Sequence, residues 1–311
     1  MMYLPLRGVH QRVPGARPMH PIIRESFLQR YETFCAELAK CRVHPSLDAV
    51  HDLRVSIRRM NAVLAKIEQF DPTIMVHRCA AELKTLMKPL GKLRDLHVQV
   101  EWVEKTFRII GPGLNEYLKK LWARERRLRK KILSITADFT PTACAALHGE
   151  IQALAGPVDE ERFLGISRRV MDELYASLAG MRETASAANN AEALHAMRIS
   201  LKKYRYTAEI LKPALGRGSS AVLKRMHALQ TVLGDIHDFD VLIARLGRFA
   251  REKDRTKYEI GNLRNSLRRL RRMRREMNAG LLGSIDAQLA AIEPALLGPG
   301  GDDEREEQTQ G

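Results

Sequence analysis

The chain has 311 residues, enough for two domains of ordinary size, and its 45% hydrophobic and 29% charged residues fit a folded globular protein, excluding a disordered one. Lysine and arginine number 52 against 37 aspartate and glutamate, and the resulting charge of +15 draws anionic partners to the surface. No apolar run approaches the ~18–20 residues of a membrane-crossing helix, nothing reads as a secretory signal, and Cys35, Cys41, Cys79 and Cys144 fall in no zinc or C-x-x-C spacing; the expectation is a cytoplasmic protein without membrane, metal or cofactor, with Cys35 and Cys41 as packing thiols.

Residues 1–21 contain Pro5, Pro14, Pro18 and Pro21 with scattered arginine and histidine and no apolar period, which reads as a flexible basic tail. Beyond it, apolar residues recur at i, i+3, i+4 and i+7. This predicts helices over 22–43, 47–70, 73–109, 114–136, 144–154, 160–185, 190–213, 219–251 and 255–292, and no strand. Ser46 is placed to cap the second helix, and Asn189 with Glu192 reads as a capping box. From Pro294 the chain turns to Gly298-Pro299-Gly300-Gly301 and an acidic run from Asp302 to Glu307, read as a disordered acidic tail over 294–311.

The informative feature is a repeat. His51-Asp52-Leu53-Arg54-Val55-Ser56-Ile57-Arg58-Arg59 returns as His195-Ala196-Met197-Arg198-Ile199-Ser200-Leu201-Lys202-Lys203, Leu90-Gly91-Lys92-Leu93-Arg94-Asp95 as Leu233-Gly234-Asp235-Ile236-His237-Asp238, and Arg126-Arg127-Leu128-Arg129-Lys130 as Arg271-Arg272-Met273-Arg274-Arg275. Three matches in one order indicate duplication. The predicted fold is all-α, with duplicated four-helix bundles at 22–140 and 159–293 packed around a basic central cleft, joined through a linker with a short helix at 141–158.

At about 100° per residue, His51, Arg54 and Arg58 share one helical face while Val50, Leu53, Ile57, Met60 and Leu64 share another. In the second copy His195, Arg198, Lys202 and Arg205 form the row, and the first copy has Asn61 where the second has Arg205. Cations one turn apart, ~5.4 Å along the axis, suit a ligand with regularly spaced charges. Arg124, Arg127 and Lys131, and likewise Arg268, Arg272 and Arg275, are read as extending the strip; Arg126, Arg129, Lys130, Arg269, Arg271 and Arg274 are read as merely solvated. One basic face alone is more often solvent surface than site, but surface cations matched between two copies are poorly explained by structural need. Gly91 and Gly234 cost helix stability unless packing needs them. Asp95 and Asp238 are read as holding basic side chains in place, and His237 as lining the site or beginning a turn.

On these motifs, from about Ile22 to Glu293, the chain resembles the CHAD family, the conserved histidine α-helical domain, named for histidines placed like His51 and His195. The resemblance implies two four-helix bundles around a basic cleft that binds inorganic polyphosphate, and in some members association with polyphosphate granules. The contacts it implies are His51, Arg54, Arg58, His195, Arg198, Lys202 and Arg205, flanked by Arg124, Arg127, Arg272 and Arg275. Some relatives carry a triphosphate tunnel metalloenzyme domain, whose E-x-E-x-K strand signature is missing here. Nucleic acid is the competing partner, since any phosphate chain meets the same electrostatics. Only 5% of residues are aromatic, however, with Tyr204 and Tyr206 the nearest stacking candidates and Tyr204 on the core face. An enzyme of phosphoryl transfer is not expected, because no P-loop or paired-carboxylate signature is present.

Overall fold

A computed structural model describes residues 19–154, 156–186, 191–216, 218–252 and 256–293. The two tails, apart from residues 19–21, and Asn189 of the expected capping box lie outside the described residues. Every regular element described is helical: α1 (Pro21–Val43), α2 (Leu47–Phe70), α3 (His77–Thr106), α4 (Pro112–Asp138), α5 (Thr142–Ala153), α6 (Glu160–Ala179), α7 (Arg182–Ser186), α8 (Ala191–Leu211), α9 (Ser219–Phe249), α10 (Lys257–Leu282) and α11 (Ile285–Ala290), with a short 3-10 turn at Lys212–Ala214.

Local chemistry sets the helix ends. The Ser46 side chain accepts the Ala49 N–H at 3.1 Å, as expected of an N-cap. Thr256 and Glu259 form a reciprocal capping box at the start of α10. Two predicted helices are interrupted: 160–185 ends α6 at Gly180 and restarts as α7, and 255–292 ends α10 at Gly283 and restarts as α11. At both glycines the backbone N–H still bonds back into the helix it closes. The apolar period runs through both breaks, which is why the sequence pattern alone joins them.

The apolar side chains divide by level along the helices. One core holds Ile23, Phe27 and Phe34 of α1, Leu53, Ile57 and Met60 of α2, Leu83 to Leu93 of α3, and the α8 and α9 residues Met197, Leu201, Leu233 and Ile236. The other holds Leu96, Val100 and Val103 of α3 with Leu114 and Leu121 of α4, Phe239 and Leu246 of α9, and Leu263 and Leu270 of α10. Each core draws on residues of both sequence halves. On α3 the change of core falls between Leu93 and Leu96, and on α9 between Ile236 and Phe239. Both changes fall at the end of the L-G-x-[LI]-x-D repeat, so that polar motif occupies the seam between two dry interiors.

Within the linker, α5 buries Cys144, Leu147 and Ile151 and packs on α1 and α3. Cys144 is joined to Cys79 of α3 by a disulfide across 65 residues of sequence, a pairing that no short-range spacing rule detects. Cys35 and Cys41 are free, with Cys41 buried, as expected of packing thiols. No described helix is long and apolar enough to cross a membrane.

Candidate functional site

The two repeated motif helices pack against each other, α2 on α3 and on α8, and α8 on α9. The faces that bury Leu53, Ile57 and Met60, or Met197, Leu201 and Tyr204, orient the adjoining cationic faces. Arg54, Arg58, Arg198 and Lys202 are all partly buried, and none has a hydrogen-bond or ion-pair partner among the described residues. They sense one another. Burial and then the charges of Arg58, Arg94 and Arg198, with Asp95 opposing, lower the Arg54 guanidinium to about 10. Arg198 is lowered by burial and by Arg58, against Asp238. The Lys202 ammonium falls furthest, to about 7, through burial and then Arg198, Arg58 and Arg54, with Asp238 opposing. Four cations from two helices are thus held close in a partly dehydrated place, an arrangement that opposes folding and favours an anion.

The second motif lies directly over the first. A Cβ on Gly91 would stand 2.7 Å from Nη1 of Arg54, and one on Gly234 would stand 3.8 Å from Nε of Arg198. Gly91 is therefore the seat of the Arg54 guanidinium, which explains a residue that costs about 1 kcal/mol in a helix. Replacing Gly91 by Ala is expected to raise helix stability by up to about that amount, while displacing Arg54 and weakening anion binding about tenfold. Gly234→Ala makes only ordinary contact and should leave affinity unchanged. Melting curves and titrations of the two variants check both halves of this expectation.

The histidines face the same seam. His195 and His237 approach through their Nδ1 atoms at 3.3 Å. Burial, then Arg198, His195 and Lys202, hold the His237 imidazole down at about 4, against Asp240. His51 is lowered by burial and by Arg94, Arg58 and Arg54, with Asp52 opposing. Arg94 and His237 occupy matched positions of the second motif, and both act electrostatically with the cation cluster. Arg94 stands beside Asp95 in the repeated string, but no helical stripe of cations marks it. Asp238 is raised to about 6 by burial, opposed by Arg198, Arg94 and Lys202, and Asp95 reaches across the halves to Arg245 at 3.3 Å.

Three expectations change. Arg205 is 8% exposed, donates from Nε to Gln230 at 2.9 Å and pairs with Glu209, so the row in the second half ends at Lys202. The departure at Asn61 consequently removes nothing from the site, for both rows stop at the same level. Glu209, one helical turn after Arg205, was the available signal. Arg274 is no solvated cation: 7% exposed, it donates to Asp240 at 2.9 and 3.2 Å. Finally, Arg124, Arg127 and Lys131 of α4, and Arg268, Arg272 and Arg275 of α10, are exposed on helices that pack on each other and on α3 and α9 respectively. No α4 or α10 charge is among those that shift Arg54, Arg198, Lys202, His51 or His237, so the structure does not join these cations to the seam. Among the described residues, no group of three or more His, Cys, Asp and Glu side chains is arranged to hold a metal ion.

The CHAD domain family model matches residues 26–247, more than half of the chain. No curated protein matches the sequence. The crystal structure of the CHAD domain from the plant Ricinus communis matches with a TM-score of 0.69 at 22% identity, over 88% of this chain and 94% of that one. PptA from Streptomyces chartreusis matches with a TM-score of 0.53 at 14% identity, over 88% and 98% respectively. At these identities the two structures establish a common fold.

Proposed function

The chain belongs to the CHAD domain family, and from that premise we propose that it is a non-enzymatic binder of inorganic polyphosphate, held at the seam where α2, α3, α8 and α9 meet. The observation that carries this reading is the convergence on one partly buried place of Arg54, Arg58, Arg198 and Lys202, unpaired among the described residues. A chain of phosphates offers these cations a charge at every step, and each guanidinium can fork to two oxygens. His51, His195, Arg94 and His237 complete the surround, and the exposed cations of α4 and α10 guide overhanging polymer at longer range. Granule association follows from the same grip on the polymer.

We read the two halves as copies of one unit because corresponding residues meet in corresponding ways, Arg54 over Gly91 and Arg198 beside Gly234. Binding is favoured over catalysis because Asp95 and Asp238 at the seam stand against arginine charges, which occupies them with neighbouring cations. Nucleic acid is disfavoured because Tyr204 is wholly buried, with its hydroxyl donating to the Ile292 carbonyl at 2.8 Å, and Tyr206 is 8% exposed, so neither offers a stacking platform.

Titration with polyphosphates of increasing length at two pH values tests the reading. Affinity should climb with length, since each further phosphate adds a contact, and fall with salt. It should also be higher at pH 6 than at pH 8. Lys202, lowered to about 7 in the free protein, is half protonated there, and a bound anion raises it again. Binding near neutral pH therefore takes up a proton, measurable as a dependence of the heat on buffer ionisation, and affinity declines as pH rises through 7. Equal affinity for short and long chains, or tighter binding at pH 8, would contradict the proposal.

A further inference from the structure

Apart from the seam cations, Arg30 of α1 and Arg59 of α2 face a recess of about 250 Å³ whose walls also include Gln29, Thr33, Ser56 and, from α8, Glu209. The Nε atoms of both arginines are buried with no hydrogen-bond partner among the described residues. Nη1 of Arg30 donates to the Ser26 carbonyl at 3.0 Å, which fixes the plane of its fork. Burial lowers the Arg30 guanidinium, Glu209 opposes this and Arg59 adds to it. Among the described residues Glu209 is the only acid on the walls; it lies 3.7 Å from Nε of Arg59 and is bonded to Arg205. Three guanidinium groups thus surround one carboxylate.

The other half of the molecule does without this cluster. The register that aligns His51 with His195 sets Leu174 against Arg30 and Ala65 against Glu209. Leu174 packs on the first core, so the shared architecture accepts an apolar residue there. The charged recess is therefore an addition to one copy, made despite the cost of gathering like charges in a partly dehydrated place.

We propose that this recess binds a single compact phosphate group, that of orthophosphate or of a phosphate chain end, independently of the polymer seam. Arg30 and Arg59 supply forked donors to the anion's oxygens. Glu209 would repel a bare anion, but hydrogen phosphate retains a P–OH at neutral pH that can donate to its carboxylate. Sulfate has no such proton. The one acid in a basic recess thereby becomes the element that selects phosphate over sulfate, because an unmatched acceptor pair in a buried place is costly.

Calorimetric titration of the full chain with inorganic phosphate, and separately with sodium sulfate, tests this. The wild type should show one saturable phosphate site with sulfate at least about tenfold weaker, the worth of one charge-assisted hydrogen bond. Arg30→Leu, which installs the residue of the matching position, should weaken phosphate about tenfold or more; Arg59→Gln should do likewise and serves if the first variant fails to fold. Glu209→Gln should close the gap between phosphate and sulfate. Arg54→Ala with Arg198→Ala should leave orthophosphate binding intact, which separates this site from the seam whether or not the seam binds polymer. If Arg30→Leu also weakens short polyphosphate, the group bound is a chain end; if it weakens orthophosphate alone, it is the free anion. An absence of saturable phosphate binding, wild-type affinity in both arginine variants, or loss of phosphate binding only in the seam variant would each overturn the proposal.

Discussion

Replacing Arg54 and Arg198 together by alanine should weaken polyphosphate binding by about a hundredfold or more while the protein melts at or above the wild-type temperature. The size follows from two charge-assisted contacts worth roughly 1.5–3 kcal/mol each. The sign of the stability effect follows from the seam itself. Arg54 sits at about 10 and Arg198 is likewise lowered, so the folded protein resists the charge of both groups. A cation depressed by folding is destabilising wherever it is charged in both states, which includes neutral pH, and its removal relieves Arg58 and Lys202. Neither arginine has a hydrogen bond or ion pair to lose among the described residues. Alanine at exposed Arg124, Arg127 and Lys131 should by contrast reduce affinity only weakly and in a salt-sensitive way. Titration and melting of both variants separate a site from a diffuse field. A double variant that binds normally would place the polymer elsewhere, and one that unfolds would make these arginines structural.

Reduction of the Cys79–Cys144 disulfide should have the largest effect on stability and none on binding. The bond closes a loop spanning 65 residues and ties α5 to α3. Restricting the unfolded chain to that extent stabilises the fold by about 4 kcal/mol on the loop-entropy scale. For a protein of this size that corresponds to a fall of roughly 5 °C in Tm on reduction. Cys79→Ala with Cys144→Ala should melt at or below the reduced wild type and respond no further to reductant. Polyphosphate affinity should not move, because both cysteines are buried in the first core. An unchanged Tm under reducing conditions would show that the two sulfurs contribute only packing.

Much of the helical order was legible in the sequence because it depends on local chemistry and a 3.6-residue period. Ser46 caps where its side chain predicted, and the α2 face carrying Leu53, Ile57 and Met60 is buried as its spacing required. The seam was half legible. Matched surface cations at Arg54 and Arg198, and at Arg58 and Lys202, pointed to it, because repetition marks residues that packing does not need. The remainder depended on tertiary placement. Nothing local says that Gly91 seats the end of Arg54, or that Arg94 approaches His51, since those contacts cross between helices. Arg205 shares the cationic stripe by angle, yet Gln230, which accepts from it, arrives from α9. The division of cores by level, with both halves in each, was equally hidden, for a repeat reveals copies without revealing how they interlock.

A bare phosphate chain is the ligand proposed for the seam. The direct measurement is a calorimetric titration of the full chain with long-chain polyphosphate at physiological salt, repeated with length-matched single-stranded RNA as competitor. The buried Tyr204 and Tyr206 offer bases nothing to stack on, so polyphosphate should bind tightly and RNA should fail to displace it. RNA that competes on equal terms would contradict that account, and would make the seam a general phosphate-backbone site in a protein that shares the CHAD fold.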